Sequence, residues 1–356
     1  MKKRVLPSRN LAAPVAPILR DSLSISDLKK YQSSWLLDCE LRHHSQATLS
    51  NRRLFLDKLI WFAERSKYAQ VGLCELKAFF VHFHSGHSAQ GGRWGGGKAL
   101  NTFRAPRPAT VQTYHNHLRT FFRWCVDEDL LDKSPMERAS EWGRKSAIPI
   151  PEDRADQIEP FSEEQIRALL AAAKASSHPK RNEAMLSMLL DTGMRVSELV
   201  DLELRDVDTA SFACVIRNGK GGKRRTVRFG RDTKRKLIAY LKEEAQHTLG
   251  EPTLPVFASD RGKSSGMALT RNGVDQLLKR LGRAAQITTV RVSAHTCRHT
   301  FALRFLLAGG DAFALQQILG HEDMEMTQKY VKFANADIER QHRAFSPMDA
   351  LKAKRQ

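Results

Sequence analysis

The sequence predicts a mainly α-helical protein with a small antiparallel β-sheet, divided into a helical first domain and an α+β second domain. Three observations predict this. Apolar residues recur at helical spacing along most of the 356 residues. The alternation typical of strands is clear only within 212–229. Residues 143–160 are rich in charge and contain Pro149, Pro151 and Pro160, which predicts a linker between two domains.

The first domain is expected over residues 22–142, after a flexible N-terminus of residues 1–21. Apolar side chains three and four positions apart predict helices within 22–84. A loop that contains six glycines follows at 85–108. A fourth helix is expected to start at Ala109 or Thr110, with an inward face formed by Val111, Tyr114, Leu118, Phe121, Phe122 and Cys125.

The second domain is expected over residues 161–335, followed by a C-terminal tail at 336–356. Ser162 and Gln165 form a capping-box pattern that predicts the first helix. Two alternating segments predict a hairpin around a glycine-rich turn, and their inward residues are Phe212, Cys214, Ile216, Val227 and Phe229. Further helices are expected at about 232–248, 271–283, 297–308, 312–319 and beyond 324.

The chain is strongly basic. It carries 58 Lys and Arg against 39 Asp and Glu, a net charge of +19. The excess is present in both halves, with +11 in residues 1–150 and +8 in residues 151–356. Two basic domains indicate one long polyanion that contacts both, and nucleic acid is the usual partner of this kind. The alternative is a charge that only keeps the protein in solution.

Several classes of protein are disfavoured by the sequence. No apolar run approaches the roughly 18 residues of a membrane span. Pro14 and Pro17 interrupt the N-terminal segment and make it a poor signal peptide. The five cysteines are scattered without a CxxC pair, which disfavours a disulfide framework or a cysteine zinc site. We therefore expect a cytoplasmic protein without a membrane partner.

Residues 76–126 contain no acidic residue. An ordinary solvated face intersperses both signs, so this stretch predicts a surface that contacts DNA phosphates. Its predicted DNA-binding residues are Lys77, Arg93, Lys98, Arg104, Arg107, Arg119 and Arg123.

Two motifs in this region have weaker interpretations. The segment from Gly92 to Ala99 has P-loop spacing, but Ala99 replaces the Ser or Thr that would bind Mg²⁺, which favours a flexible basic loop. His82, His84 and His87 have no nearby carboxylate or cysteine, which disfavours zinc. Neither a metal nor a cofactor is expected.

Breaking a phosphodiester needs cations that clamp the phosphate, a nucleophile and an acid for the leaving oxygen. Arginine suits the clamp because its planar fork stays charged. Arg195 is expected in the first turn of a helix after a Thr-Gly break. His295 and Arg298 lie three positions apart, on one helix face. An ion pair with Glu198 is the structural alternative for Arg195.

The remaining candidates are Lys220, His321 and Tyr330. Lys220 stands in the glycine-rich turn of the predicted hairpin, where it is either a catalytic group or only a turn residue. His321 follows Gly320 and is otherwise a helix cap or a core histidine. Among the five tyrosines, Tyr330 has polar neighbours and looks least like a core residue, whereas the spacing around Tyr240 is that of a core position.

In this order the motifs resemble those of the tyrosine recombinases, also called phage-type integrases. That family has an Arg in TGxRxSEL, a Lys in a GKG hairpin, HxxRH, then LGH and a Tyr nine residues later. The matching segments here are Thr192–Leu199, Gly219–Gly221, His295–His299, Leu319–His321 and Tyr330. The segment from Thr110 to Met136 resembles the end of the family's helical core-binding domain, so the resemblance covers about 22–335.

The resemblance implies a core DNA-binding domain, a catalytic domain, and strand exchange on double-stranded DNA without metal or ATP. Tyr330 would form a 3′-phosphotyrosyl bond, and His295 would accept its proton. Arg195 and Arg298 would clamp the phosphate, Lys220 would protonate the leaving oxygen, and His321 would support the transition state. His299 is read as structural or as a support for the site residues, and a contact with the phosphate is the less favoured alternative.

The family assembles four protomers on two duplexes, either as a homo-oligomer or with a related recombinase, and its C-terminal tail docks on a neighbour. Two other functions stay open: a type IB topoisomerase-like enzyme that relaxes DNA, and a non-catalytic DNA-binding regulator.

Overall fold

A computed structural model describes residues 20–87, 92–96, 104–140, 143–150, 159–217, 224–245, 251–259, 265–321, 324–334, 342 and 346. The chain divides into two compact units, Met1–Arg154 and Ala155–Gln356. In the described ranges, helices dominate and the strands are short and antiparallel. The predicted fold class is therefore confirmed. No helix in these ranges is long and apolar enough to cross a membrane.

Within its described residues, the first unit contains four α-helices and two small pairs of antiparallel strands. The helices are α1 (Ile25–Leu41), α2 (Gln46–Arg65), α3 (Leu73–His84) and α4 (Pro108–Asp127). β1 (Leu23–Ser24) pairs with β2 (Gln70–Val71) across α1 and α2, and β3 (Glu137–Ser140) forms a hairpin with β4 (Gly143–Ser146). Ser24 and Ser45 cap α1 and α2, because each hydroxyl accepts the backbone N–H of the third residue of its helix.

Aromatic side chains form the core of this unit. Trp35, Phe79, Phe83, Phe121 and Phe122 are almost completely buried. The inward face predicted for α4 is buried as expected, and the helix begins at a proline, whose fixed φ suits the first helical position.

The segment predicted as a linker starts with ordered structure. Gly143–Ser146 is the strand β4, and Ile148 is 3% exposed in the core of the first unit. The proline content of 143–160 therefore marks a boundary that lies further along the chain than residue 142. Residues 151–158 lie outside the described part of the chain.

The second unit contains eight helices and a three-stranded sheet within its described residues. The helices are α5 (Glu163–Lys174), α6 (Pro179–Thr192), α7 (Val196–Val200), α8 (Arg231–Glu243), α9 (Arg271–Ala284), α10 (Ala294–Leu307), α11 (Ala312–Leu319) and α12 (Met324–Ala334). The strands β5 (Val207–Asp208), β6 (Ala213–Ile216) and β7 (Arg225–Arg228) are antiparallel in that order.

Local sequence explains several of these elements. The capping box before α5 is present, because the Ser162 hydroxyl accepts from the Gln165 N–H and the Gln165 side chain accepts from the Ser162 N–H. The predicted hairpin forms between β6 and β7, and its turn, 218–223, lies outside the described residues. Helix α6 packs at the centre of the unit, where Met185, Met188 and Leu189 are almost fully buried.

Candidate active site

The loop between α6 and α7 positions Arg195. Helix α6 ends at Gly193, which is left-handed at φ +61° and leaves no room for a side chain. Arg195 is the N-cap of α7 rather than a residue of its first turn, and its N–H donates to Glu198 Oε2 at 2.8 Å. The hydrogen-bonding capacity of this N–H is therefore already used by a carboxylate.

Glu198 holds a buried carboxylate at the centre of the site. Its side chain is 1% exposed, and its oxygens accept from the guanidinium groups of Arg195 and Arg225. Burial alone would raise the pKa of this carboxyl, but the hydrogen bonds from Arg225 and Arg195 hold it below its ordinary value. The ion pair of Arg195 with Glu198 is real, at 2.9 Å, and it leaves the Arg195 side chain 26% exposed toward the cleft.

Arg225 was not predicted from the sequence. It lies on β7 opposite Ile216 and has the same inward orientation as the buried Val227 two residues later. Strand alternation could have indicated it, because a charged residue at an inward position requires a buried partner. That partner is Glu198.

Arg298 lies in the second turn of α10 and is 5% exposed. Its guanidinium donates to the carbonyls of Gly193 and Leu319, both at 2.8 Å. Burial, together with repulsion from Arg195, lowers the pKa of Arg298 to about 10, so the group remains charged at neutral pH.

Three arginines donate hydrogen bonds to main-chain carbonyls at the C-terminal end of α11. The carbonyls of Ile318, Leu319 and Gly320 accept from Arg225, Arg298 and Arg195 at 2.8, 2.8 and 3.2 Å, respectively. The last carbonyls of a helix carry a partial negative charge, which favours cations there. Gly320 is left-handed at φ +65° and ends the helix, so that His321 follows directly.

Two histidines of α10 lie together beside Tyr330. The Nε2 atoms of His295 and His299 are 3.0 Å apart, which places a hydrogen bond between the two rings. The ring centroid of His299 is 5.0 Å from that of Tyr330. His299, read from the sequence as structural, therefore lies in the same cleft as the predicted site residues.

His321 is partly buried, and its Nδ1 lies 2.9 Å from the Thr327 hydroxyl. Its ring is stacked on Tyr330 with 6.4 Å between centroids. Burial, followed by repulsion from Arg298 and Arg195, lowers the pKa of His321 to about 4. The imidazole is therefore neutral at pH 7.

Tyr330 lies on α12 and is only 7% exposed, packed with Leu306, Leu315 and Leu319. The expectation that it looks least like a core residue is wrong, because its ring is buried against these leucines. Burial raises the pKa of its phenol, and Arg298 partly offsets this rise. Tyr240 is a core residue as predicted, with its hydroxyl on the Val256 carbonyl.

One cleft of about 460 Å³ collects most of the predicted catalytic set. It is lined by Arg195, His295, Arg298, His321 and Tyr330. Arg271, at the start of α9, also lines it and was not predicted. The sixth predicted residue, Lys220, lies outside the described part of the chain.

The predicted DNA-binding cations of the first unit occupy different environments. Lys77, Arg104, Arg107 and Arg123 are exposed, and Lys98 lies outside the described residues. Arg119 donates to Glu137 at 2.7 Å, an acidic partner from beyond the acid-free stretch.

Arg93 is not a surface residue, which corrects its prediction as a phosphate contact. It is 4% exposed, and its guanidinium lies 5.2 Å from the centre of the Phe83 ring. The group donates to the carbonyls of Ser85 and Arg104, which lie near the two ends of the glycine-rich loop at 85–108. Arg93 therefore fastens the two ends of this loop to the aromatic core.

Two histidines of the histidine motif in the first unit form hydrogen bonds with main-chain carbonyls in and next to the same loop. His82 Nε2 lies 3.1 Å from the Arg93 carbonyl, and His87 Nε2 lies 2.8 Å from the His82 carbonyl. Among the described residues, no three His, Cys, Asp or Glu side chains are grouped as a metal site requires.

Comparison with known proteins agrees with this geometry. Residues 159–336 match the phage integrase family. The tyrosine recombinase XerD of Ralstonia nicotianae is 31% identical over 268 residues, which cover 71% of this chain and 82% of that protein. The tyrosine recombinase XerC of Anoxybacillus flavithermus is 27% identical over 297 residues, which cover 81% and 88%.

Two solved structures share the fold. The Tn1549 transposon integrase in complex with a circular intermediate DNA is 18% identical, with a TM-score of 0.60, and the match covers 89% of this chain and 99% of that one. The XerH site-specific recombinase bound to its difH substrate is 20% identical, with a TM-score of 0.58, covering 92% and 85%. The resemblance in the motifs is confirmed: the chain belongs to the phage integrase family and is a tyrosine recombinase.

Proposed function

We propose that this tyrosine recombinase cuts and rejoins double-stranded DNA at a specific site through a 3′-phosphotyrosyl intermediate. The observation that carries the proposal is the cleft that places Tyr330 beside Arg195, Arg298 and His321. A nucleophile, two phosphate-binding cations and a neutral hydrogen-bonding imidazole are what an in-line attack on a phosphodiester needs.

The proposed step is a transesterification. The Tyr330 oxygen forms a bond to phosphorus as the bond from phosphorus to the 5′ oxygen breaks. His295 accepts the phenol proton, and Lys220 donates a proton to the leaving 5′ oxygen. The energy of the phosphodiester is kept in the phosphotyrosyl bond, so the 5′-hydroxyl of a second strand can reverse the step without metal or ATP.

The electrostatics of the cleft support this assignment. The raised pKa of Tyr330 means that the phenol does not ionise by itself at neutral pH and that a base is required. The lowered pKa of His321 keeps its imidazole neutral, so the ring can donate a hydrogen bond to a phosphate oxygen while it carries no net charge.

The first unit is proposed to bind the DNA backbone through its exposed cations, Lys77, Arg104, Arg107 and Arg123. The Tn1549 integrase and XerH structures contain DNA, which supports DNA as the partner of this chain. We further propose a tetramer on two duplexes, docking of the tail at 336–356 on a neighbour, and action in the cytoplasm.

The test is covalent trapping. Cells that express the protein are denatured rapidly, DNA still bound to protein is isolated, and its ends are sequenced. Tyr330→Phe removes the nucleophile but keeps the ring that packs with Leu315 and Leu319, so it is expected to abolish adducts while DNA binding is kept. Tyr31→Phe, a hydroxyl deletion in the first unit, is the matched control and should leave adducts intact.

The outcomes separate the candidate functions. Adducts at one recurring sequence that vanish in Tyr330→Phe support the recombinase and reveal its site. Adducts scattered without sequence preference would indicate a topoisomerase-like activity. An adduct that persists in Tyr330→Phe contradicts the assignment of the nucleophile, and no adduct in the wild-type protein would indicate a DNA-binding regulator.

A further inference from the structure

We propose that Arg225 is a positioning residue that balances the charge of Glu198, so that the positive charge of Arg195 is not cancelled by Glu198 and is available to the DNA phosphate. This inference rests on the proposed function, because it assigns to Arg195 the role of a phosphate clamp. Arg225 does not line the cleft and therefore acts through Glu198 rather than on the DNA.

The contact between the two side chains is bidentate. Arg225 Nη1 donates to Glu198 Oε1 and Arg225 Nη2 donates to Oε2, both at 2.7 Å. The Arg225 side chain is 12% exposed and the Glu198 side chain 1%. A planar guanidinium that engages both oxygens of a buried carboxylate is the strongest form of this ion pair.

Arg195 shares the same carboxylate in a weaker way. Its Nη1 lies 2.9 Å from Oε1, and its side chain is twice as exposed as that of Arg225, at 26% against 12%. One negative charge is therefore divided between two guanidinium groups, and the shorter, bidentate contact goes to the arginine that is more deeply buried. Arg195 is held in place but is not neutralised.

Without Arg225, the buried carboxylate would have Arg195 as its remaining cationic partner. The pair would then be neutral, and an incoming phosphate would have to compete with Glu198 for the same guanidinium. Since the interior screens charges weakly, this competition is stronger than it would be in water.

Arg225 also fixes the end of α11. Its Nε donates to the Ile318 carbonyl at 2.8 Å, two residues before the Gly320 carbonyl that accepts from Arg195. A Cβ on Gly320 would lie 3.2 Å from Arg225 Nη1, so the turn before His321 fits closely against this guanidinium. The Arg225 side chain thus limits how far Glu198 cancels the charge of Arg195, and it also positions the Gly320 carbonyl that accepts from Arg195.

The experiment compares three variants by the yield of covalent adducts on the DNA of the expressing cell. Arg225→Met removes the charge and is expected to lower the yield about tenfold or more. Glu198→Gln also lowers it, because the amide nitrogen faces an arginine. The double variant, Arg225→Met with Glu198→Gln, removes the competing charge, and its yield is expected to exceed that of Arg225→Met alone by about threefold or more.

The higher yield expected for the double variant distinguishes an electrostatic role of Arg225 from a role in packing. If Arg225 only supported the fold, the double variant would be no better than Arg225→Met, and that result would overturn the inference. Arg225→Lys and Arg225→Gln provide a second comparison if the methionine variant unfolds. Lysine keeps the charge and should retain more adduct than glutamine, and the reverse order would contradict the inference.

The control is Arg217→Met. Arg217 is a partly buried arginine at the end of β6 that pairs with Glu203 and Asp206, away from the cleft. It should leave the adduct yield within about twofold of wild type. A wild-type protein without any adduct would contradict the proposed function itself, whereas normal wild-type adducts without rescue would contradict only the role of Arg225.

Discussion

Replacing Gly193 by alanine is expected to destabilise the second unit by a collision and not only by backbone strain. Gly193 is left-handed, at φ +61°. A Cβ built there lies 2.4 Å from Phe301 Cδ1 and 2.9 Å from Leu319 Cδ2, distances that real Cβ atoms do not show. Leu319 is fully buried beside Tyr330, and the partly buried Phe301 packs on the same cluster, so a shift of either side chain would disturb this packing.

The magnitude follows from two contributions. Alanine in a left-handed conformation costs about 1 kcal/mol. Overpacking a close-packed core costs about 1–3 kcal/mol more, which gives a total of about 2–4 kcal/mol. Gly309 is the matched control, because it is left-handed at φ +94° with nothing within 4 Å of its Cβ position. Gly309→Ala therefore includes the backbone contribution and lacks the collision.

The assay is unfolding by a chemical denaturant, monitored by tryptophan fluorescence and by circular dichroism. All five tryptophans precede residue 143, so their fluorescence reports the first unit, and far-ultraviolet circular dichroism reports both. Gly193→Ala should lose about 1–3 kcal/mol more than Gly309→Ala in the transition seen by circular dichroism. Equal losses in the two variants would refute the collision.

Three further predictions concern charged groups. Arg298→Ala should abolish covalent adducts while DNA affinity stays within about tenfold of wild type, measured by gel shift; undiminished adducts would exclude a phosphate role. Because the pKa of His321 is lowered to about 4, the folded state resists its protonation, so stability should fall as pH drops from 6.5 toward 4. That loss should be about 1–2 kcal/mol smaller in His321→Asn, since the ring is only partly buried, and equal losses would contradict the shift. Arg93→Met should lower the free energy of unfolding of the first unit by about 2–3 kcal/mol in the fluorescence-detected transition. Lys77→Met, at an exposed position, should instead weaken DNA binding with little change in stability. The opposite pattern would indicate that Arg93 contacts DNA at the surface.

The elements that the sequence predicted well depend on local rules. Helical periodicity located α1 to α4 and α8 to α12, and the Ser162 capping box predicted α5, which begins at Glu163. Strand alternation located β6 and β7. The ordered motifs predicted five of the residues that line the cleft, because each motif lies within one short segment of the chain.

What the sequence did not predict depends on contacts between distant segments. Arg225 and Glu198 are 27 residues apart, and Arg119 pairs with Glu137 from outside the acid-free stretch. Arg93 reads as an exposed cation in a glycine-rich loop, and only the packing of Phe83 and two carbonyls makes it an interior residue. Composition describes how many charges a segment has, but it does not describe which of them are paired.

The arginines at the end of α11 bind main-chain carbonyls, and this limits what mutagenesis can detect. Exchanging the side chains of Ile318 or Leu319 leaves their carbonyl oxygens in place, so an alanine scan of these positions would report packing changes and leave the arginine contacts intact. Backbone chemistry would be needed to weaken them, for example an ester in place of the following amide. The part of the site that orients its three cations is thus encoded by the geometry of a helix end, and two glycines, Gly193 and Gly320, are the positions where a side-chain change would disturb it.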